Sequence, residues 1–241
     1  MEDMERYGDY NEIDEPPRGK NPLGLVLKIL IGVVCLGVVG VLIFRIFLSS
    51  YYPASVKDIR FNGALTEYYN ANDGDIEILT QVIRYNMDDG DEGNFFADNL
   101  ILIRELGQVQ LSLRYNVSVF NNLKEKHKID LDPTATDNFT FRLVRNPYRE
   151  GEDPFEIGRM TLNEQDSYMM YRYHKLVFDE VDFELWSGDE NEPDNEIDWI
   201  RVEIIIPSHS EEPFGAIPIY ESYIELTPYE LSKDEVPDSD Q

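Results

Sequence analysis

The chain is expected to be mainly β: an antiparallel β-sandwich, immunoglobulin-like in the broad sense, preceded by one transmembrane helix. Three observations predict this. Residues 23–48 form a continuous apolar run. Beyond it, several short segments alternate apolar and polar residues with a period of two. Gly-, Asp- and Asn-rich turns separate those segments.

Residues 1–22 read as an acidic, disordered tail. The first twenty hold Glu2, Asp3, Glu5, Asp9, Glu12, Asp14 and Glu15 against Arg6, Arg18 and Lys20, with few apolar groups to bury. From Leu23 to Leu48 no acid occurs, and Lys28 and Arg45 are the only charges. At ~1.5 Å per residue this run reaches about 39 Å as a helix, against a bilayer core of about 30 Å. Lys28 and Arg45 sit near its ends, where long stems carry charge to the interface. Tyr51 and Tyr52 suit an aromatic belt, and Pro53 stops the helix. A buried core helix would carry a polar stripe, which is missing. A cleaved signal peptide would need a basic leader and a small-residue cleavage site, and neither is present. The run is therefore read as a signal anchor.

Residues 49–58 are expected to be a juxtamembrane linker, 59–227 a β-rich extracytoplasmic domain, and 228–241 a second acidic, disordered tail. Lys and Arg near the two membrane ends tie in number. A short tail before the anchor and a globular domain after it favour the N-inside arrangement. The one cysteine, Cys35, lies within the apolar run, so the domain has no disulfide. About 190 residues are enough to bury a core without one.

The clearest strands flank a turn at Glu105 to Gln108. Leu100 to Ile103 are apolar, and Val109, Leu111, Leu113 and Tyr115 alternate with Gln110, Ser112 and Arg114. This predicts a hairpin with one face in a core and the other in water. Phe139, Phe141 and Leu143 predict another strand. So do Tyr171, Tyr173, Lys175 and Val177, then Val181, Phe183 and Leu185, then Ile200, Val202, Ile204 and Ile206, and finally Ile217 to Glu225. Ile76 to Tyr85 fits strand and helix templates alike, with its β-branched content favouring strand. Val119, Phe120, Leu123 and His127 fall at helical spacing, with Ser118 as the expected cap and Lys124, Lys126 and Lys128 alongside.

The net charge of −27 repels phosphate, which argues against nucleic-acid binding. Residues 1–48 carry seven acids and five bases, a net −2, so the remaining 193 residues carry −25. The acidity belongs to the domain and its tail, whose expected partners are a protein or wall material of basic character. His127, His174 and His209 show no metal-ligand spacing, and no hydrolase elbow, phosphate loop or dinucleotide fingerprint occurs. No cofactor is expected. His174 is expected to be a hydrogen-bonded strand histidine. Trp186 and Trp199 suit a core or strand edge as well as a sugar platform.

Two acidic loops are the calcium candidates. One carries Asp88, Asp89, Asp91 and Glu92. The other carries Asp189, Glu190 and Asp194. Calcium takes six to eight oxygens from a tight loop, and neither loop has EF-hand spacing. A solvated acidic loop is the plainer reading of both.

The short acidic tail, the single anchor, Phe95-Phe96 before a strand, and the stretch from Gly107 to Asn116 resemble a group of uncharacterised single-pass membrane proteins of Clostridia-like Gram-positive bacteria. The similar stretch covers Ile59 to Leu123. The resemblance implies an envelope location and no mechanism. The chain is expected to be a non-enzymatic binding or structural module at the cell envelope. The alternatives are an extracytoplasmic sensor with a short cytoplasmic tail and, more remotely, a carbohydrate-active enzyme, which would need a cleft holding two carboxylates.

Overall fold

The computed structural model describes residues 22–86, 95–145, 153–183, 200–219, 226–232 and 235–236. The chain divides into two units, residues 1–51 and 52–241.

In the first unit, helix α1 spans Pro22–Ser50, 29 residues. It is long and apolar enough to cross a membrane, and none of its apolar window is buried against protein. No residue packs where a side chain at Gly32, Gly37 or Gly40 would project. Cys35 is exposed on this helix.

Among its described residues the second unit contains α2 (Ala54–Lys57), α3 (Gly63–Ala71), α4 (Ser118–Asn122) and nine strands. These are β1 (Leu79–Asn86), β2 (Phe95–Ile103), β3 (Gln108–Asn116), β4 (Thr140–Arg145), β5 (Phe155–Tyr168), β6 (Tyr171–Asp179), β7 (Ile200–Ile205), β8 (Pro213–Pro218) and β9 (Thr227–Pro228). They form one antiparallel sheet in the order β8-β7-β4-β5-β6-β3-β2-β1-β9. β8, near one end, also contacts β1 and β2 near the other. The sheet therefore curls over a single core, as a sandwich made from one bent sheet, or half-barrel. The mainly-β, antiparallel expectation is borne out.

The concave side is filled by Phe95, Leu111, Phe141, Leu176, Val202 and Ile217, among others, all almost fully buried. Each such side chain contributes roughly 1.5–3 kcal/mol of transfer free energy. Phe139 sits edge-on to Phe95 at 5.1 Å and to Tyr115 at 5.2 Å. A smaller cluster of Ile59, Leu65, Ile78, Ile101 and Ile103 lies on the convex side.

The expected hairpin forms. Arg104–Leu106 make a 3-10 turn that ends at Gly107, with φ +67. A side chain at Gly107 would meet the carbonyl of Val181 at 3.2 Å. The expected solvent face of β3 is, however, buried: Gln108, Gln110 and Ser112 are 0 % exposed. The reason lies in the segment just before α3. The backbone N–H of Arg60 donates to Gln110 Oε1 at 2.8 Å, and Gln110 Nε2 donates back to the Arg60 carbonyl at 2.7 Å. Ser112 Oγ donates to the carbonyl of Val56 at 2.6 Å, and Val56 is fully buried. The alternating polar face thus receives a backbone strap instead of water. Residues 54–58, expected within a linker, are part of this strap. Gln110→Leu is expected to leave both main-chain groups of Arg60 unpaired and to lower stability by about 2–3 kcal/mol. A urea midpoint that falls at unchanged slope checks this.

Four further elements differ from expectation. β5 was not foreseen. Val181 and Phe183 lie outside any strand: the N–H of Val181 donates to the Gly107 carbonyl at 2.8 Å, and that of Asp182 to Ile157 at 3.2 Å. Val181 instead fills a gap beside Gly158, where a Cβ would approach its Cγ2 to 2.6 Å. β8 runs Pro213–Pro218 and starts before the strand expected at Ile217 to Glu225, of which residues 220–225 lie outside the described residues. In the C-terminal tail, β9 pairs with β1, and the N–H of Tyr229 donates to Ile78 at 2.8 Å. Glu235 accepts from the N–H groups of Ile59 at 3.3 Å and Ser232 at 2.7 Å, and from the Tyr229 hydroxyl. Part of the expected disordered tail therefore clasps the strap.

The helix after β3 is present, followed by a π-helical turn at Leu123–His127. Its opening N–H, at Ser118, is held by the Asn116 side chain at 2.9 Å, so Asn116 does the work expected of Ser118.

Candidate functional site

The site begins with a strand that changes partners. The first part of β5 pairs with β4, at Phe155 with Arg145, Glu156 with Val144 and Gly158 with Leu143. A register shift falls between Leu143 and Val144. Thr140, Phe141 and Arg142 of β4 then pair with β7 alone. Beyond Met160, β5 pairs only with β6 among the described residues. The two strands part, and a cleft of about 610 Å³ opens between them. This is within the range of ligand sites.

Asn163 and Gln165 of β5 line one wall. Thr136, Asp137, Phe139 and Thr140 line the other, and Pro207 closes an end. The loop before β4 is held in shape by its own polar groups. Asp132 Oδ1 accepts from the N–H of Thr134 at 2.9 Å and from its hydroxyl at 2.7 Å. These bonds hold the Asp132 carboxyl below its usual range. Asn138 Nδ2 donates to the carbonyls of Asp132 at 2.6 Å and Ala135 at 3.1 Å.

The main chain of β5 has a direction here that the pairing dictates. The two-residue Met169–Met170 turn closes on Tyr168 and Tyr171. From that turn-closing pair the ladder alternates, so Asp166, Glu164 and Leu162 exchange bonds with β6. Asn163, Gln165 and Ser167 then point their main-chain groups away from β6. The N–H of Ser167 is taken by Asp166 Oδ1 at 2.6 Å. Those of Asn163 and Gln165 face the edge away from β6, which no strand pairs among the described residues, while their side chains line the cleft.

The amides are oriented from behind. Asn163 Oδ1 lies 2.7 Å from His174 Nδ1. His174 is 1 % exposed, stacked on Tyr115 at 5.5 Å and edge-on to Phe141 at 5.0 Å. Burial pushes its pKa down to about 3, so the ring is neutral at pH 7. Its Nε2 has no hydrogen-bond partner among the described residues. A proton on Nδ1 donates to Asn163 and leaves only a lone pair unmatched. The other tautomer would bury an unpaired N–H, the rarer orphan. Asn163 therefore turns its NH2 to the cleft. Gln165 Nε2 donates to the Thr136 carbonyl, which leaves Gln165 Oε1 as an acceptor. The expectation of a hydrogen-bonded strand histidine at 174 is met, and it serves as a brace.

The opposite face of the sheet carries two basic side chains in unusual surroundings, Lys175 on β6 and Arg114 on β3. Lys175 is fully buried under the strap, and its Nζ has no hydrogen-bond partner among the described residues. Burial lowers its pKa to about 7, with Asp58, Glu235 and Glu164 pulling it up and Arg60 down. The Arg114 guanidinium lies 5.1 Å from the ring of Tyr52 and 5.2 Å from those of Phe96 and Tyr171, an aromatic enclosure for a cation. Burial raises the Tyr52 hydroxyl pKa, opposed by Arg114. The Arg114 contact ties Tyr52 to the sheet.

The calcium candidates Asp88, Asp89, Asp91, Glu92, Asp189, Glu190 and Asp194 lie outside the described residues, as do Trp186 and Trp199. Among the described residues no cluster of three or more His, Cys, Asp or Glu is placed to hold a metal. The histidines do not converge: His127 meets Phe214 edge-on at 5.4 Å, and His209 is exposed in a turn. Lys124 pairs with Asp130 at 2.8 Å, and Lys128 donates to the Glu125 carbonyl at 2.7 Å, so these two lysines of the basic stretch are engaged locally. The cleft residues escaped the sequence reading because residues 163–167 are all polar and show no alternation. The one readable sign was a polar run entering the Tyr-Met-Met-Tyr turn.

No family model, curated protein or solved structure matches the chain.

Proposed function

We propose that the chain is a membrane-anchored, non-enzymatic binding module of the cell envelope, with its ligand site in the cleft between β4 and β5. α1 supplies the anchor, and the domain lies on the extracytoplasmic side. The observation that carries this reading is the parting of β4 from β5, which leaves a strand edge unpaired among the described residues beside a shallow, open cleft. Among the described residues the lining has one carboxylate, Asp137, whereas glycoside hydrolysis needs two facing across a cleft. Its amides and hydroxyls are neutral groups suited to recognition. The domain's acidity favours a partner of basic character.

Two measurements in whole membranes test the reading. With Cys35 replaced by Ala, a Ser208→Cys thiol is expected to react with an impermeant maleimide on intact cells. Reaction only after lysis would contradict the extracytoplasmic placement. A photo-reactive benzophenone side chain at Thr136 is expected to give a reproducible protein adduct. The same group at exposed Glu67 on α3 is expected not to give it. No adduct at 136, or the same adducts from both positions, would contradict a ligand site at the cleft.

A further inference from the structure

We infer that the cleft takes an extended, basic peptide segment of a partner protein, which adds to β5 as a new strand through the main chain of Asn163 and Gln165. The inference rests on the reading of the cleft as the ligand site, and it names the class of ligand.

Four observations point to a peptide. First, Asn163 and Gln165 present main-chain N–H and C=O groups on one edge that no strand pairs among the described residues, about 7 Å apart along the strand. A second extended chain matches that repeat, because its own groups recur with the same spacing. Second, the two side-chain amides offer one donor and one acceptor, fixed by His174 and by the Thr136 carbonyl. A peptide group is the ligand element that carries both an acceptor and a donor. Third, among the described residues the lining has no exposed aromatic platform of the kind a sugar ring stacks on: the one aromatic ring among them, Phe139, is 3 % exposed. Fourth, Asp137 is exposed at the rim, in a domain with a large acidic excess, so Lys or Arg on the incoming strand is favoured.

An open edge is ordinarily an aggregation liability. Here the edge is short. The N–H of Ser167 is covered by Asp166, and on the other side the pairing with β4 ends the opening. Room remains for a short strand bounded at both ends.

The test uses the full chain in detergent micelles, observed by NMR and amide hydrogen exchange. The probe is a pool of capped hexapeptides with Lys at alternate positions and Val, Thr or Tyr between. The control probes are the same peptides N-methylated on alternate residues in either phase, and a trimer of N-acetylglucosamine. The peptides are expected to shift the main-chain amides of Asn163 and Gln165 and to slow their exchange. N-methylation on the pairing phase is expected to weaken binding by about tenfold or more, the effect of losing one or more hydrogen bonds. Peptides that leave both amides unperturbed, or that bind equally well when N-methylated in either phase, would overturn the strand-addition proposal. If the sugar perturbs the cleft and the peptides do not, the ligand class falls and the cleft reading stands. If neither probe perturbs the cleft, both fall.

Discussion

Lys175→Met is expected to stabilise the protein at pH 7 and to flatten its stability between pH 7 and 9.5. The buried amine has a pKa of about 7 in the folded chain, against an ordinary value of 10.5. Between those values the unfolded chain binds more protons than the folded one. Stability therefore rises as pH rises through that window, and the cost of burying Lys175 is fully present below about pH 7. At about 1.4 kcal/mol per pH unit of difference, wild type should gain about 3 kcal/mol from pH 7 to 9.5 through this one group. Methionine keeps the stem's packing and removes the charge. Urea unfolding of both proteins at the two pH values checks this. An equal slope in wild type and variant would show that Lys175 is not the titrating group. The window stops at 9.5 because the buried tyrosines act in the opposite sense above it. Burial raises Tyr115 to about 12, so its unfolded form ionises first and stability falls there.

Phe139→Ala is expected to be the most damaging single truncation near the cleft, at about 3–5 kcal/mol. Phe139 is 3 % exposed and touches the rings of Phe95, Tyr115 and Phe120, with centroids at 5.1, 5.2 and 6.0 Å. It also forms the floor of the cleft. Its loss removes ring contacts on one side and opens the aromatic cluster to the cleft on the other. Phe139→Leu retains much of the volume and should cost distinctly less. Chemical unfolding resolves the two variants. Equal and small losses in both would show that the cluster does not depend on this ring.

These two positions also show what the sequence made legible. Phe139, Phe141 and Leu143 alternate against a core, and burial on one face of a sheet is what that pattern encodes. The same logic recovered β3, β6 and β7. It failed on the other face of β3, where Gln108, Gln110 and Ser112 look like surface residues and instead receive the strap. A polar residue bonded to backbone has the same sequence signature as one bonded to water. β5 was missed for a related reason. From Thr161 to Ser167 only Leu162 is apolar; among the described residues one edge of that strand has no strand partner, and Asn163 and Gln165 line the cleft. A pattern-based reading finds strands by what they bury, so it overlooks a strand whose distinctive property is an unburied edge. The curl that brings β8 against β1 and β2 likewise depends on contacts far apart in sequence. The acidic loops at 88–94 and 189–196, singled out for their charge, lie outside the described residues. The cleft is built instead from amides and hydroxyls that carry no motif.

The open edge of β5 is the feature on which the functional account turns, and it is testable without any ligand. Residue-resolved amide hydrogen exchange on the full chain should show an alternating pattern along β5. Leu162, Glu164 and Asp166, whose N–H groups pair with β6, should be protected. Asn163 and Gln165 should exchange fast, by at least an order of magnitude relative to those neighbours. Uniform protection from 162 to 166 would mean that another part of the chain already pairs with this edge. That result would contradict the account.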